Sequence, residues 1–179
     1  MNNTKSRLVG MALSSLFTAI ICLLAQICIT TPFGVPITLQ IFAIALSGYI
    51  LDYKKAVFSV LTYIFLGLIG IPVFSGFRGG VHTLFGLTGG FIFGFLAVAF
   101  FCSVSIKQNK IFIKILFSLL GVAICHLSGV IQLAIISKSS LLNAFTVASL
   151  PFILKDLLFV AVAYFIAQTV RKRFKLKEF

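Results

Sequence analysis

Long apolar segments, separated by short polar or glycine-rich stretches, make up almost the whole chain. A helix that crosses a membrane needs about 20 predominantly apolar residues. The second segment is short for a span, so we expect part of the loop before it to lie at membrane depth as well. The pattern predicts an all-α protein, a bundle of six transmembrane helices. The six segments cover residues 8–30, 38–51, 56–71, 84–106, 111–136 and 144–170.

The composition agrees with a single integral membrane domain over residues 1–179. Hydrophobic residues make up 60% of the chain and charged residues only 10%, whereas a soluble domain carries about 25% charged residues. No hydrophilic stretch is long enough to form a second domain. The first apolar run exceeds the length of a signal-peptide core and lacks a clear cleavage site, so we expect it to remain as a helix.

The stretch between the third and fourth segments is the most irregular part of the sequence. It reads GIPVFSGFRGGVHTLFGLTGGFIFG, residues 70–94, and contains eight of the 14 glycines. Glycine and proline disfavour helix, and irregular backbone at membrane depth persists only where it is buried in protein or lines a cavity. The stretch, called the glycine strip below, therefore predicts a loop folded over a small-molecule pocket. The alternative is an ordinary exposed connection between two helices.

Two further breaks accompany the glycine strip. The first is TTPFGVPITLQ, residues 30–40, where Pro32 and Pro36 flank Gly34, and the second is Pro151 within the sixth segment. If both termini are cytoplasmic, the cytoplasmic face carries 12 of the 15 Lys and Arg residues and the outer face three, which is a strong positive-inside signal. This orientation places all three breaks outside and predicts an outward-facing pocket. The three outer cations are Arg78, Lys138 and Lys155.

The net charge of +12 would suggest a nucleic-acid partner in a soluble protein. Here the cations lie at the ends of apolar segments, where they set topology and contact anionic lipid headgroups. No nucleic-acid-binding motif is present. We therefore expect the lipid bilayer, and no nucleic acid, as a partner.

One acidic residue, Asp156, lies inside an apolar segment, next to Lys155. An ionisable group at that depth is a functional candidate; the alternative is a buried structural ion pair. Arg78, on the glycine strip, has a planar fork suited to a carboxylate, or it lies in water. His126 is more typical of a satisfied core histidine.

Catalytic motifs are missing from the sequence. It contains no GxSxG and no set of Ser, His and Asp residues that stands out. It also has no GxxxxGK[ST] motif for ATP and no CxxC-type pair for a metal. We expect no catalysis, no cofactor and no metal; energy for uphill transport would come from a partner or an ion.

Small residues four apart let another helix approach closely. The first segment has two such pairs, Ser15 with Ala19 and Ser14 with Thr18. They mark a helix-contact face or occur by chance, since small residues are common in membrane helices. In the fourth segment, glycine recurs every fourth residue and predicts a smooth packing face; these residues are Gly86, Gly90 and Gly94.

The sequence resembles the BioY family, the biotin-binding S components of energy-coupling factor (ECF) vitamin transporters. The likeness covers nearly the whole chain and rests on AQICITTPFGVPITLQ, LTYIFLGLIGIPVFSGFRGG, LTGGFIFGF and LPFILKDLL. It implies a six-helix membrane protein that captures biotin from outside and docks on a transmembrane coupling subunit driven by two ATPase subunits. Ser15 and Ala19 correspond to the first-helix residues that contact the coupling subunit in this family. The family's sixth helix often reads Asp-x-x-Lys; here Asp156 is present, Phe159 stands three residues later, and the lysine is Lys155.

The resemblance also implies roles for the candidate site residues. Asp156 would accept hydrogen bonds from the ureido N–H groups of biotin. The alternatives left open are another vitamin-like ligand, or a stand-alone transporter or small membrane enzyme. The ureido oxygen would be bound by Lys155, Gln40, Thr38 or Tyr63. The carboxylate would be bound by Arg78 or by the backbone N–H groups of Gly79 and Gly80. Phe74 and Phe77 would cover the thioether ring, and Ser75 would also lie on the pocket wall.

Overall fold

The computed structural model describes residues 3–29, 31 and 35–173, with side chains from Arg7 onward. Two short strands, β1 (Cys28–Ile29) and β2 (Ile37–Thr38), pair antiparallel across the first break. The helices of the described residues are α1 (Asn3–Gln26), α2 (Gln40–Ile50), α3 (Tyr53–Leu68), α4 (Val81–Leu84), α5 (Gly89–Ile106), α6 (Ile111–Ser137), α7 (Leu141–Ala148) and α8 (Leu150–Arg173).

The mainly helical prediction is confirmed, but the all-α description omits the β1–β2 pair. Within the described residues, four helices are long and apolar enough to cross a membrane: α1, α5, α6 and α8. The sixth predicted segment is two helices, because the chain bends at Ser149 between α7 and α8. Pro151 lies in the first turn of α8, where its missing N–H removes no intrahelical hydrogen bond, so it begins a helix and does not interrupt one.

The short helix α2 lies at the centre of the bundle. It packs against α1, α3, α5 and α8, and eight of its 11 residues are buried. A helix that is apolar all round is typically a buried one. The hydrophobic core is therefore organised around α2.

The close contact of α5 with α6 depends on glycine. A Cβ at Gly94 would lie 2.5 Å from the Cα of Cys125, which leaves no room for a side chain. Beside it, the Ser128 hydroxyl donates a hydrogen bond of 2.8 Å to the carbonyl of Gly90. The predicted packing face is confirmed for Gly90 and Gly94, whereas Gly86 lies in the turn before α5.

Polar contacts tie the helix ends together on each side of the bundle. On one side, Arg171 Nη1 donates to the carbonyls of Tyr49 and Ile50, each at 3.3 Å, and so satisfies groups at the C-terminus of α2. On the other side, Gln132 Nε2 donates to the carbonyls of Leu84 at 2.8 Å and Gly86 at 2.7 Å, which fixes the glycine strip to α6.

Asp52 is the N-cap of α3 in the turn after α2. Its Oδ1 accepts from the backbone N–H groups of Lys54 and Lys55 at 2.9 and 3.2 Å, and Lys55 Nζ lies 2.6 Å from Oδ2. Partial burial acts to raise the pKa of Asp52, but the hydrogen bonds and charge of Lys55 outweigh it and hold the pKa below its ordinary value of 3.8. The ionised carboxylate therefore stabilises the folded state.

We expect Asp52→Ala to lower the free energy of unfolding by about 1 kcal/mol at neutral pH, because an N-cap is lost. Because the folded pKa is the lower one, the wild-type carboxylate contributes fully above 3.8 and loses its contribution as the pH falls through the folded pKa. We therefore expect the difference in melting temperature between wild type and variant to be smaller at about pH 3 than at pH 7, as measured by thermal unfolding. Asn109→Ala, in the turn before α6, is the control and should leave the melting temperature unchanged at both pH values.

Candidate ligand-binding site

A narrow cleft lies between the N-terminal end of α2, the first turns of α5, the middle of α6 and the α7–α8 junction. It contains about 560 Å³ of space free of protein atoms, including its open mouth. Most of its wall is apolar, with a few polar groups. The lining residues are Val35, Pro36, Thr38, Gln40, Ile41, Ser75, Thr88, Phe91, Ile92, Phe95, Cys125, His126, Ala148, Phe152, Lys155 and Asp156.

Asp156 is the buried acid of this cleft, with only 4% of its surface exposed. Its Oδ1 lies 2.5 Å from Lys155 Nζ, and its Oδ2 lies 3.3 Å from His126 Nε2. Both are ion-pair distances, yet within the described residues neither Oδ1 nor His126 Nε2 has a partner with hydrogen-bond geometry. The carboxylate is therefore compensated in charge, while the hydrogen-bonding capacity of Oδ1 is not satisfied by a well-aligned donor among the described residues.

Lys155 also lines the cleft, and its ammonium group has two further contacts besides the one with Asp156. Nζ donates to the carbonyl of Thr38 at 3.2 Å and lies 5.1 Å from the centre of the Phe159 ring. Both contacts favour a cation at this position. Lys155 thus joins α8 to β2 while it pairs with Asp156.

A chain of side-chain hydrogen bonds fixes the amide of Gln40. Thr38 Oγ1 donates to Gln40 Oε1 at 2.9 Å, and Gln40 Nε2 donates to the Tyr63 hydroxyl at 2.6 Å. Thr38 and Gln40 line the cleft, whereas Tyr63 is fully buried behind them, with its ring edge-on to Phe74 at 5.3 Å. Tyr63 therefore supports the wall and does not form its surface.

The glycine strip doubles back on itself after the C-terminal end of α3. The backbones of Phe74 and Arg78 exchange hydrogen bonds of 2.9 and 3.2 Å, and Phe77 between them has a φ of 56°. Gln26 at the end of α1 holds this turn, since its Oε1 accepts from Phe77 N at 2.8 Å and its Nε2 donates to the carbonyl of Val73 at 3.0 Å.

The predicted site residues divide into three groups. Five of them line the cleft: Thr38, Gln40, Ser75, Lys155 and Asp156. Phe74 and Tyr63 are buried behind the wall. The remaining four are not among the lining residues, with Phe77 and Arg78 exposed and Gly79 and Gly80 partly exposed on the strip. Their predicted roles toward a ligand remain predictions.

Several cleft residues were not singled out from the sequence. His126, interpreted there as a core residue, is 6% exposed and also faces the cleft. Phe91 and Phe95 lie one turn apart on α5, next to the glycine face that packs on α6, and this spacing was the one available signal. Pro32 and Gly34 of the first break lie outside the described residues, whereas Pro36 lines the cleft.

The two pairs of small residues on α1 lie in different environments. Ser14 and Thr18 are buried, and Thr18 Oγ1 donates to the carbonyl of Ser59 on α3 at 3.0 Å. Ser15 and Ala19 are exposed on the bundle surface. The first pair is thus an internal packing face and the second an uncovered one.

Comparison with known proteins gives consistent matches over nearly the full length. A model described as the BioY family matches residues 1–176, a span that includes every element lining the cleft. The "Biotin transporter BioY" of Thermotoga maritima is 38% identical over 161 residues, covering 89% of this chain and 94% of that protein. The "Probable biotin transporter BioY" of Pyrococcus horikoshii is 36% identical over 160 residues, with the same two coverages.

A solved structure is also similar to this chain. It is a crystal structure of "the S-component for biotin from an ECF-type ABC transporter". The TM-score is 0.84 at 29% sequence identity, and the alignment covers 96% of this chain and 95% of that one.

Proposed function

This chain belongs to the BioY family, and from that premise we propose that it is a biotin-binding S component of an ATP-driven ECF vitamin transporter. The observation that carries the proposal is the similarity, over 96% of the chain, to the solved S component for biotin. The protein is a multi-pass membrane protein and a transport subunit, not an enzyme.

The chemistry of the cleft supports biotin as the ligand. Biotin combines a ureido ring, which donates and accepts hydrogen bonds, with an apolar thioether ring and a carboxylate tail. Asp156 offers an acceptor for a ureido N–H, and Thr38, Gln40 and Lys155 place further polar groups on the same wall. We assign the apolar ring to the aromatic wall, which consists of Phe91, Phe95 and Phe152.

The carboxylate tail is assigned to the mouth of the cleft. The proposed carboxylate-binding groups are the guanidinium of Arg78 and the backbone N–H groups of Gly79 and Gly80, which are not among the residues that line the cleft. The N–H of Gly80 donates to the carbonyl of Gly67 at 2.6 Å, so it would exchange this partner for the carboxylate. This part of the proposal therefore requires the glycine strip to move toward the cleft when biotin binds. Phe77, which is 72% exposed, would be covered by the same movement.

We further propose that the protein crosses the plasma membrane six times, with both termini in the cytoplasm. The cations near the α2–α3 turn, the α5–α6 turn and the end of α8 lie at the end of the bundle away from the cleft. This distribution supports a cytoplasmic position for that end. In this arrangement α2 and α3 are the second and third crossings, and α4 and α7 are short outer helices. The side chain of Lys5, and Lys175 and Lys177, lie outside the described residues.

The proposed partners are a transmembrane coupling subunit and two ATPase subunits. The chain has no P-loop motif of its own, so ATP would be hydrolysed by the partner subunits. The exposed pair Ser15 and Ala19 on α1 is the proposed contact with the coupling subunit.

The test is a titration of the purified protein in detergent with biotin, read by calorimetry and by native mass spectrometry. We expect saturable binding of one biotin per chain. A different vitamin retained through purification, with no response to biotin, would point to the alternative S component. Uptake into vesicles that contain this chain alone, without ATP, would point to a stand-alone transporter.

A further inference from the structure

His126 is held in one position by groups on three elements. Its Nδ1 lies 2.9 Å from the hydroxyl of Ser149, at the α7–α8 junction. Its ring packs edge-on against Phe91 of α5 at 6.0 Å. Its other nitrogen, Nε2, lies 3.3 Å from Asp156 Oδ2 on the wall of the cleft. The ring therefore cannot turn without losing contacts on both sides.

These neighbours determine which nitrogen of His126 carries a proton. The Ser149 hydroxyl is able to donate to Nδ1 or accept from it. The carboxylate of Asp156 only accepts, so a lone pair on Nε2 would face a negative oxygen and be repelled. In each favourable state, neutral or protonated, Nε2 therefore bears a hydrogen.

This N–H group and the adjacent carboxylate each retain unsatisfied hydrogen-bonding capacity within the described residues. Neither His126 Nε2 nor Asp156 Oδ1 has a hydrogen-bond partner there, although His126 is 6% and Asp156 4% exposed. Buried polar groups are normally hydrogen-bonded. His126 and Asp156 thus place a donor and an acceptor side by side among the cleft-lining residues. The ammonium group of Lys155 lies 2.5 Å from Asp156 Oδ1 while it also contacts Thr38 and Phe159.

A cyclic urea presents the complementary pair, a carbonyl oxygen next to an N–H group. Building on the biotin binding proposed above, we propose that His126 Nε2–H donates to the ureido oxygen while Asp156 accepts from the neighbouring ureido N–H. His126, rather than Lys155, is then the residue that selects for a urea carbonyl. Ser149 is a positioning residue, because it fixes the ring that carries the donor.

The test compares biotin with 2-iminobiotin, in which an imino N–H replaces the ureido oxygen. The wild-type protein should prefer biotin, because the cyclic guanidine of the analogue is protonated at neutral pH and offers His126 only donors where an acceptor is needed. His126→Phe keeps a ring of similar size but removes the donor. We expect it to weaken biotin binding by at least about tenfold and to leave the affinity for 2-iminobiotin unchanged or higher, so that the preference falls. A purely structural role would weaken both ligands alike.

Ser149→Ala retains the imidazole but removes the hydroxyl that positions it, so it should reduce the same preference more modestly. Asn109→Phe is the control, since it introduces the same ring at an exposed position of the α5–α6 turn, outside the cleft and the glycine strip; neither affinity should change. An unchanged preference in folded His126→Phe would overturn the proposal. Failure of the wild-type protein to bind biotin at all would instead overturn the proposed function.

A second measurement does not depend on folding of the cleft variant. The chain has only two histidines, so His82→Gln leaves His126 as the single source of imidazole signals in protein labelled with ¹⁵N-histidine. Saturation with biotin should shift the Nε2 resonance and protect its proton from exchange with water. A spectrum that biotin leaves unchanged, in a sample shown to bind it, would contradict the proposal.

Discussion

Asp156→Asn is expected to weaken biotin binding by at least about tenfold, which corresponds to about 1.4 kcal/mol. The substitution keeps the shape of the side chain but removes the charge, and hydrogen bonds to charged groups contribute about 1.5–3 kcal/mol. It also places an amide N–H where the ureido N–H groups need an acceptor. The measurement is a calorimetric titration of the purified variant, with its melting temperature recorded beside that of the wild type.

Asp52→Asn is the matched control for this substitution. It also removes a carboxylate that pairs with a lysine, but it lies in the α2–α3 turn, at the opposite end of the bundle from the cleft. Its biotin affinity should equal that of the wild type. If Asp156→Asn bound biotin as tightly as the wild type, Asp156 would have to be removed from the proposed site.

The sequence located the parts of the site that are chemically conspicuous in a membrane protein. A carboxylate inside an apolar segment stands out, because burying its charge without compensation is highly unfavourable, and Asp156 does line the cleft. Thr38 and Gln40 were recognisable for a similar reason, as polar residues that follow a proline-rich break. These residues were predictable because a charged or polar side chain is energetically unfavourable inside a membrane-spanning segment.

Aromatic residues gave no comparable signal. The chain has 21 phenylalanines, and a phenylalanine that faces lipid has the same sequence signature as one that lines an apolar cleft. Phe91 and Phe95 could therefore not be distinguished from Phe93, which is 42% exposed on the same helix. His126 was missed for a related reason, because a core histidine and a cleft histidine differ only in what lies beside them.

The orientation of the glycine strip depends on a contact that is distant in sequence. Phe74 is 1% exposed and Phe77 is 72% exposed, although both were expected to cover a ligand. The turn between them is fixed by Gln26, which lies 51 residues before Phe77 and accepts its backbone N–H. Local composition predicted an irregular loop, but the side that each residue faces follows from this long-range hydrogen bond.

Ser15→Trp and Ala19→Trp are expected to abolish biotin uptake while leaving biotin binding unchanged. Both positions are exposed on α1, about 100° round the helix from the buried pair Ser14 and Thr18 that packs on α3. Small residues at this spacing allow close approach of another helix, and an indole ring would hold the coupling subunit away. Uptake of labelled biotin would be measured in vesicles that contain the coupling and ATPase subunits, and binding in detergent without them.

Val162→Trp separates the effect of docking from the effect of bulk. Val162 is 39% exposed on α8, so an indole ring there would project from the surface of the bundle, away from the exposed pair on α1. We expect this variant to bind and transport biotin as the wild type does. Normal uptake by Ala19→Trp would exclude this face of α1 as the docking surface. Loss of binding in the same variant would show that the substitution acts on the fold, because the cleft lining includes no residue of α1.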